Sequence, residues 1–134
     1  MPAPSLPDGL IAHASGHSPA ATTDRLVAAV TKHGMTILAR IDHAAAAAKV
    51  GLALRPTELL IFGNARAGTP LMQSAQTIGI DLPLRVLVFE DGEGKTWIAC
   101  YDPEWLAERH RVRGAEGIIE NMTAALAAIV QEAI

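Results

Sequence analysis

The residues best suited to chemistry lie where a predicted strand passes into a predicted helix, and His43 is the first of them. His43 directly follows Asp42, a residue type that commonly caps helices. A neutral imidazole at this position can accept a proton, bind a metal or accept a hydrogen bond from a ligand. Arg40 shares a strand face with Asp42, so an Arg40–Asp42 pair can hold the site in place. The same residues equally fit a structural cap with an ion pair beside it.

A second candidate is the segment GNARAGT at residues 63–69, which joins a predicted buried strand to a predicted helix. Thr69 followed by Pro70 is typical of a helix start, with Thr at the N-cap and Pro at the first helical position. The free N–H groups of such a start, together with Arg66, can hold a carboxylate or a phosphate. The segment lacks the Gly-Lys-Ser/Thr of a P-loop and the GxGxxG of a dinucleotide fold, so it also fits an ordinary connection.

Both candidates follow strands and begin helices, so we expect His43 and residues 63–70 to lie within about 10 Å of each other, a gap that one small ligand can bridge. The leading hypothesis is a small-ligand site, for an anion, formed by His43, Asn64, Arg66, Gly68 and Thr69. The first alternative is an enzyme in which His43 is the general base beside Asp42 and Arg40. The second is a structural or interaction domain without a pocket.

The elements that must position these residues follow from hydrophobic periodicity and helix caps. Strands are predicted at residues 10–15, 35–42, 57–62, 84–90 and 95–101. The last two flank the turn sequence DGEG and therefore form a β-hairpin. Helices are predicted from a cap at Thr22 or Thr23 to Gly34, and at residues 43–50, 69–79, 103–110 and 115–133.

A late hairpin among interspersed helices argues against a doubly wound parallel sheet, so we predict an α+β fold. Its expected form is a four- to five-stranded sheet with helices packed on it. The sequence contains no internal repeat and no linker, which indicates a single domain at residues 10–134. Three prolines within residues 1–9 predict an extended N-terminal tail ahead of that domain.

Composition and charge limit the classes of partner. The formal net charge is -3 and basic residues cluster only near residues 109–113, so we expect no nucleic-acid partner. No stretch approaches the length of a membrane span, so we expect no membrane association. Cys100 is the only cysteine, and with no signal peptide evident this favours the cytoplasm. No catalytic-triad order, paired acidic motif or zinc spacing appears, so we predict neither metal nor cofactor and leave enzymatic activity open.

Five segments, in order along the chain, resemble the domain of unknown function 302 family over roughly residues 10–112. They are RIDHAAAA (40–47), RPTELLIFGN (55–64), AGTPLM (67–72), IDLPLRVLV (80–88) and the W…YDP of 97–103. The resemblance implies an arrangement like that of the TATA-binding protein, with helices packed on a sheet, and it implies a homodimer. It implies no activity, because none is assigned to the family. The expected partners are therefore a second copy of the chain and a small anionic ligand.

Overall fold

The computed structural model describes residues 5–134, so residues 1–4 of the predicted N-terminal tail lie outside it. The strands are β1 (Leu10–Ser15), β2 (Thr36–Asp42), β3 (Thr57–Gly63), β4 (Leu84–Glu90) and β5 (Thr96–Tyr101). The α-helices are α1 (Pro19–Lys32), α2 (His43–Lys49), α3 (Ala65–Ser74), α4 (Pro103–Arg109) and α5 (Glu116–Ala133). A 3₁₀ helix, Gln76–Ile80, connects α3 towards β4.

The five strands form one sheet in the order β1-β5-β4-β3-β2, and every neighbouring pair is antiparallel. The first and last strands of the chain are therefore neighbours, and β2 lies at the opposite edge. This arrangement confirms the predicted α+β class, and the sheet has five strands where four or five were predicted. The predicted hairpin is the β4–β5 pair, in which Glu90 lies opposite Thr96.

The main core lies between one face of the sheet and the helices α1 and α5. Alternate residues of the central strands point to this face, where they meet the apolar stripes of the two helices. Its largest fully buried members are Phe62, Leu60, Val86, Val88, Ile98, Leu26, Val30 and Ile129. A fully buried side chain of this size contributes about 1.5–3 kcal/mol, so burial at this face stabilises the fold strongly.

The opposite face of the sheet, which we call the open face, is also apolar. Leu59 lies opposite Leu87, and Phe89 lies opposite Trp97. Leu59, Leu87 and Phe89 are only half-buried, whereas Trp97 is buried. These residues lie outside the cluster that packs beneath α1 and α5. The protein therefore has one helical layer and one sheet, with an apolar surface on the far side of the sheet.

A β-bulge interrupts β2 and changes the predicted strand faces. The pairing with β3 shifts between Ile37 and Ala39, so Leu38 has no directly opposite partner. Ile37 lies opposite Phe62 on the core side, whereas Ala39 lies opposite Ile61 on the open face. Regular alternation along β2 would place Ile37 and Ala39 on one face, and the bulge puts them on opposite faces. Simple alternation does not reveal the extra residue, which leaves Leu38 58% exposed.

Helix α1 starts earlier than predicted. Its N-cap is Ser18, whose hydroxyl accepts a hydrogen bond from the Ala21 N–H at 3.2 Å, and Pro19 occupies the first turn. Thr22 and Thr23, the predicted caps, are buried inside the helix, and the Thr22 hydroxyl lies 2.7 Å from that of Ser15. Ser18-Pro19 is the same cap-then-proline signal that correctly places α4 after Asp102.

The hairpin turn is organised by the carboxylate of Asp91. Its Oδ1 accepts hydrogen bonds from the N–H groups of Glu93 and Lys95, each at 2.9 Å. Its Oδ2 accepts a hydrogen bond from Trp97 Nε1 at 2.8 Å. The Trp97 bond and then the backbone bonds hold the pKa of Asp91 below its ordinary value, because all of them favour the charged form.

We predict that Asp91→Asn lowers the melting temperature at pH 7, and that the deficit shrinks as the solution is acidified. The folded-state pKa lies below the unfolded value of about 3.9. The stabilisation is therefore complete above that value and is lost as the pH falls through the folded-state pKa. Thermal unfolding between pH 2 and 7 measures the effect. The control, Glu93→Gln, removes a charge from the same turn; an equal loss in both variants would contradict the assignment to Asp91.

Candidate functional site

A cavity of about 710 Å³ lies where the Gly63 end of β3, the start of β2, helix α3 and the middle of α5 meet. Its volume is in the range of small-molecule pockets, roughly 300–1,000 Å³. Four of the five predicted ligand residues line it, namely Asn64, Arg66, Gly68 and Thr69. The predicted ligand residues therefore form one wall of this cavity, although the local structure of that wall differs from the prediction.

Helix α3 begins at Ala65, so Thr69 is not a helix cap as predicted. The cap is Asn64, whose Oδ1 accepts a hydrogen bond from the Arg66 N–H at 2.9 Å. The N–H groups of Ala67 and Gly68 donate to the Asn64 carbonyl, each at 3.0 Å. Because α3 begins four residues before Thr69, the N–H groups that follow Thr69 lie inside the helix and not at a free helix start. Pro70 lies inside the helix, where the Thr-Pro pair resembles a helix start without forming one.

The rim of the cavity is polar and exposed. It is formed by Thr36, Asn64, Arg66, Thr69 and Asn121, all of which are exposed to solvent. Among the described residues that line the cavity, Arg66 is the only one with an ionisable side chain. Within residues 5–134, no carboxylate lies within 4 Å of the Arg66 guanidinium, in contrast to Arg40 and Arg109, which both form ion pairs. The rim therefore carries one positive charge that is not neutralised by a direct ion pair.

The floor of the cavity is apolar. It includes Met35, Met72, Leu82, Ile118 and Met122, which are half-buried or buried. Leu38, displaced by the β-bulge, reaches the same cavity. The floor joins the edge of the main core. Met122 belongs to that core, and Met35, Met72, Leu82 and Ile118 pack against it, whereas Leu38 does not.

His43 lies away from this cavity, so the prediction that it approaches residues 63–70 is wrong. In the antiparallel β2–β3 pair, Asp42 lies opposite Glu58, whereas Thr36 lies opposite Gly63. Six residues of strand separate these two ends, which corresponds to about 20 Å at the usual rise per residue of a β-strand. The expectation assumed that neighbouring strands end at the same edge of the sheet, which holds for parallel strands but not for antiparallel ones.

Asp42 and Arg40 also differ from the expected pair. Asp42 Oδ1 caps α2 by accepting from the Ala45 N–H at 2.8 Å. Arg40 Nε donates instead to Glu58 at 3.1 Å, a bond that raises the pKa of the Arg40 guanidinium. His43 is exposed, and no hydrogen bond to its ring is found in the part of the chain that the structure describes. The alternative with His43 as general base therefore lacks the orienting contacts that it requires.

A polar cluster that the sequence did not predict joins the 3₁₀ helix to α4, with Asp81 and His110 partly buried at its centre. His110 Nε2 bonds the Asp81 carboxylate, and His110 Nδ1 lies 2.9 Å from the Thr77 hydroxyl. Arg109 Nη1 lies 3.2 Å from Asp81. These residues line neither this cavity nor the smaller one, of about 420 Å³, that Asp42 lines. We interpret the cluster as a structural connection. No local sequence pattern predicts it, because Asp81 and His110 lie nearly 30 positions apart in the chain.

Two other findings bear on chemistry. Burial raises the pKa of the Cys100 thiol to about 11, so the thiol is protonated and poorly nucleophilic at neutral pH. Among residues 5–134, no group of three His, Cys, Asp or Glu side chains is placed to hold a metal ion. In the same part of the chain, no helix combines the length and apolar character needed to cross a bilayer.

Comparison with known proteins gives two kinds of relative. The chain is 51% identical over 105 residues to "Fluoride-specific ion channel FluC 1" of Brucella suis biovar 1 (strain 1330), covering 78% of this chain and 41% of that protein. "Fluoride-specific ion channel FluC 2" of Brucella melitensis biotype 1 is also 51% identical over 105 residues, and the match covers 39% of that protein. The chain thus spans about two fifths of the curated relatives that it matches.

The fold has a solved counterpart, the "uncharacterized conserved protein DUF302 from Bacillus stearothermophilus". The TM-score is 0.84, with 18% identity, and the match covers 96% of this chain and all of the other. The family model "Domain of unknown function DUF302" matches residues 11–129, which extends the sequence resemblance into α5. The chain therefore belongs to the DUF302 family.

Proposed function

We propose that this protein is a homodimeric domain that binds a small anionic ligand in the cavity beside α3. The observation that carries the proposal is the exposed guanidinium of Arg66, which has no ion-pair partner among the described residues and is the only charged group of the lining. The proposed site contains Asn64, Arg66, Gly68 and Thr69 but not His43, which lies at the far end of β2.

The chemistry of the rim favours an anion over a cation or a neutral ligand. A guanidinium presents paired N–H donors that match a carboxylate or a phosphate, and such charge-assisted bonds are about twice as strong as neutral ones. The side-chain amide of Asn121 and the hydroxyls of Thr36 and Thr69 lie on the same rim and can add hydrogen bonds. No acidic residue lines the cavity to repel an anion or attract a cation.

The open face supports the homodimer. On β3 and β4 its positions are apolar apart from Arg85 and Thr57, and they include Leu59, Ile61 and Leu87. A two-fold interface places each patch against its own copy, so a patch with few charges avoids like-charge repulsion. Two sheets packed in this way lie about 10 Å apart and would bury apolar surface that one copy leaves in contact with water.

A second candidate function is an accessory role beside a fluoride channel. The observation that favours it is the 51% identity over 105 residues to proteins named as fluoride-specific ion channels. Because the matched region is only about two fifths of those proteins, the likeness itself does not extend to the channel activity. The proposal is that this domain contacts such a channel or handles the anion on its behalf.

We predict that Arg66→Gln weakens anion binding while leaving the fold intact. The probes are phosphate, sulfate, acetate and fluoride, each measured by its effect on the melting temperature. An anion at ten times its Kd stabilises by about 1.4 kcal/mol, which is about 5 °C for a domain of this size. Loss of a charge-assisted hydrogen bond weakens binding about 10- to 100-fold. The control Arg111→Gln removes the same charge outside the cavity; if no anion stabilises the wild type, the proposal fails.

We predict that the protein has about twice the 14.1 kDa chain mass in solution, and that Leu87→Asp converts it to a monomer. The half-buried Leu87 lies in the middle of the open face, where a carboxylate would be desolvated in a dimer. Light scattering at micromolar concentration measures the mass. Val50→Asp, at a site 72% exposed at the end of α2, is the control. A wild-type monomer, or a dimer unaffected by Leu87→Asp, would contradict the proposed interface.

The accessory role predicts that a fluoride channel co-expressed with this chain co-purifies with it in detergent. The channel alone, carrying the same affinity tag, serves as the reference for unspecific recovery. Recovery of this chain only when the channel carries the tag supports the role. Equal recovery with an unrelated membrane protein of similar size argues against it and leaves the ligand proposal untouched.

A further inference from the structure

We propose that the ligand of this cavity is an amphipathic monoanion, with an apolar body in the floor and a single anionic head group at Arg66. This inference rests on the proposed anion site and specifies its ligand class. It follows from the division of the lining into an exposed polar rim with one charge and a buried or half-buried apolar floor.

The floor is suited to an aliphatic body of variable shape. Met35, Met72 and Met122 all line it, and they are the only methionines of residues 5–134. Methionine is unbranched, flexible and polarisable, so it adapts to apolar ligands of different outlines. Leu82 and Ile118 add branched apolar side chains that are only half-buried. Contact with a hydrocarbon would remove more of their surface from water, which favours binding.

The size of the cavity argues against a simple inorganic anion as its full occupant. A water molecule takes up about 30 Å³ in the liquid, so a halide or a phosphate would fill a small part of the 710 Å³. Such an ion would leave the apolar floor in contact with water. A ligand with a hydrocarbon body covers the floor and keeps its head in the solvated rim beside Arg66.

The charge of the lining sets the charge of the ligand. Arg66 is the only ionisable group there, so one anionic group finds a partner and a second would not. A cationic group on the same ligand would likewise lack a carboxylate. A straight-chain carboxylate has the required chemistry and provides a graded set of probes.

The test is a calorimetric titration with acetate, butanoate, hexanoate and octanoate, with 1-octanol as the uncharged counterpart of octanoate. Each methylene that enters the floor should strengthen binding about two- to fourfold until the floor is filled. Octanoate should bind at least tenfold more tightly than 1-octanol to the wild type. Arg66→Gln should remove that advantage while retaining the dependence on chain length.

A second variant tests the floor without touching Arg66. Ala125 lines the cavity on α5, so Ala125→Phe should weaken octanoate at least tenfold and acetate little. Ala124→Phe, on the exposed side of the same helix, is the matched control and should leave both unchanged. Circular dichroism and the melting temperature show that each variant is folded.

The outcomes separate the inference from the proposal on which it rests. If acetate and octanoate bind equally and both depend on Arg66, the amphipathic ligand is wrong and the anion site stands. If 1-octanol binds as tightly as octanoate, with no effect of Arg66→Gln, the anion site is wrong as well. If octanoate binds to Ala125→Phe as to the wild type, the chain does not occupy this floor and the inference fails.

Discussion

The antiparallel pairing of β2 with β3 decides where every candidate residue lies. One end of this pair carries Asp42 opposite Glu58, and there the chain enters α2 at His43. The other end carries Thr36 opposite Gly63, and there the chain enters α3 through the Asn64 cap. The pairing therefore separates two polar helix starts that look equivalent in sequence. The second opens onto the cavity of about 710 Å³, whereas the first lies beside the smaller cavity of about 420 Å³.

The helices cover one side of the sheet, and this asymmetry gives the protein two different apolar regions. On the covered side, α1 and α5 complete a core with fully buried Leu60, Phe62 and Ile98. At the margin of that core, where α3 and α5 diverge from the sheet end, packing is incomplete and the cavity forms. On the uncovered side, the strands keep apolar residues such as Leu59 and Phe89 half-buried. The two regions support two separate proposals, a ligand site and a contact between copies.

Sequence reasoning recovered the parts of the fold that depend on local patterns. The five strands and the hairpin follow from alternation and turn residues, and the α4 start follows from Asp102-Pro103. The start of α3 was misplaced because Thr69-Pro70 is a stronger local signal than Asn64, although Asn64 makes the capping bond. The Asp81–His110 contact joins residues nearly 30 positions apart, and strand direction is also a non-local property. Neither can be read from spacing along the chain.

The cavity wall at Arg66 was identified for a partly correct reason. The polar segment after a buried strand does border the cavity, but the N–H groups that follow Thr69 lie inside α3 and not at its start. The apolar floor came from three distant parts of the chain, around Met35, Met72 and Met122. Their convergence depends on how α3 and α5 pack, which hydrophobic periodicity does not specify.

The bulge at Leu38 has a consequence for how copies of this protein can associate. β2 is an edge strand, and a regular edge exposes a row of N–H and C=O groups that can pair with another chain. The extra residue twists this edge and breaks the regular spacing of those groups, while Arg40 and Asp42 add charge along it. Continuous growth of the sheet from molecule to molecule is therefore disfavoured at β2. The residue that helps to shape the cavity therefore also disfavours pairing of β2 with the edge of another molecule.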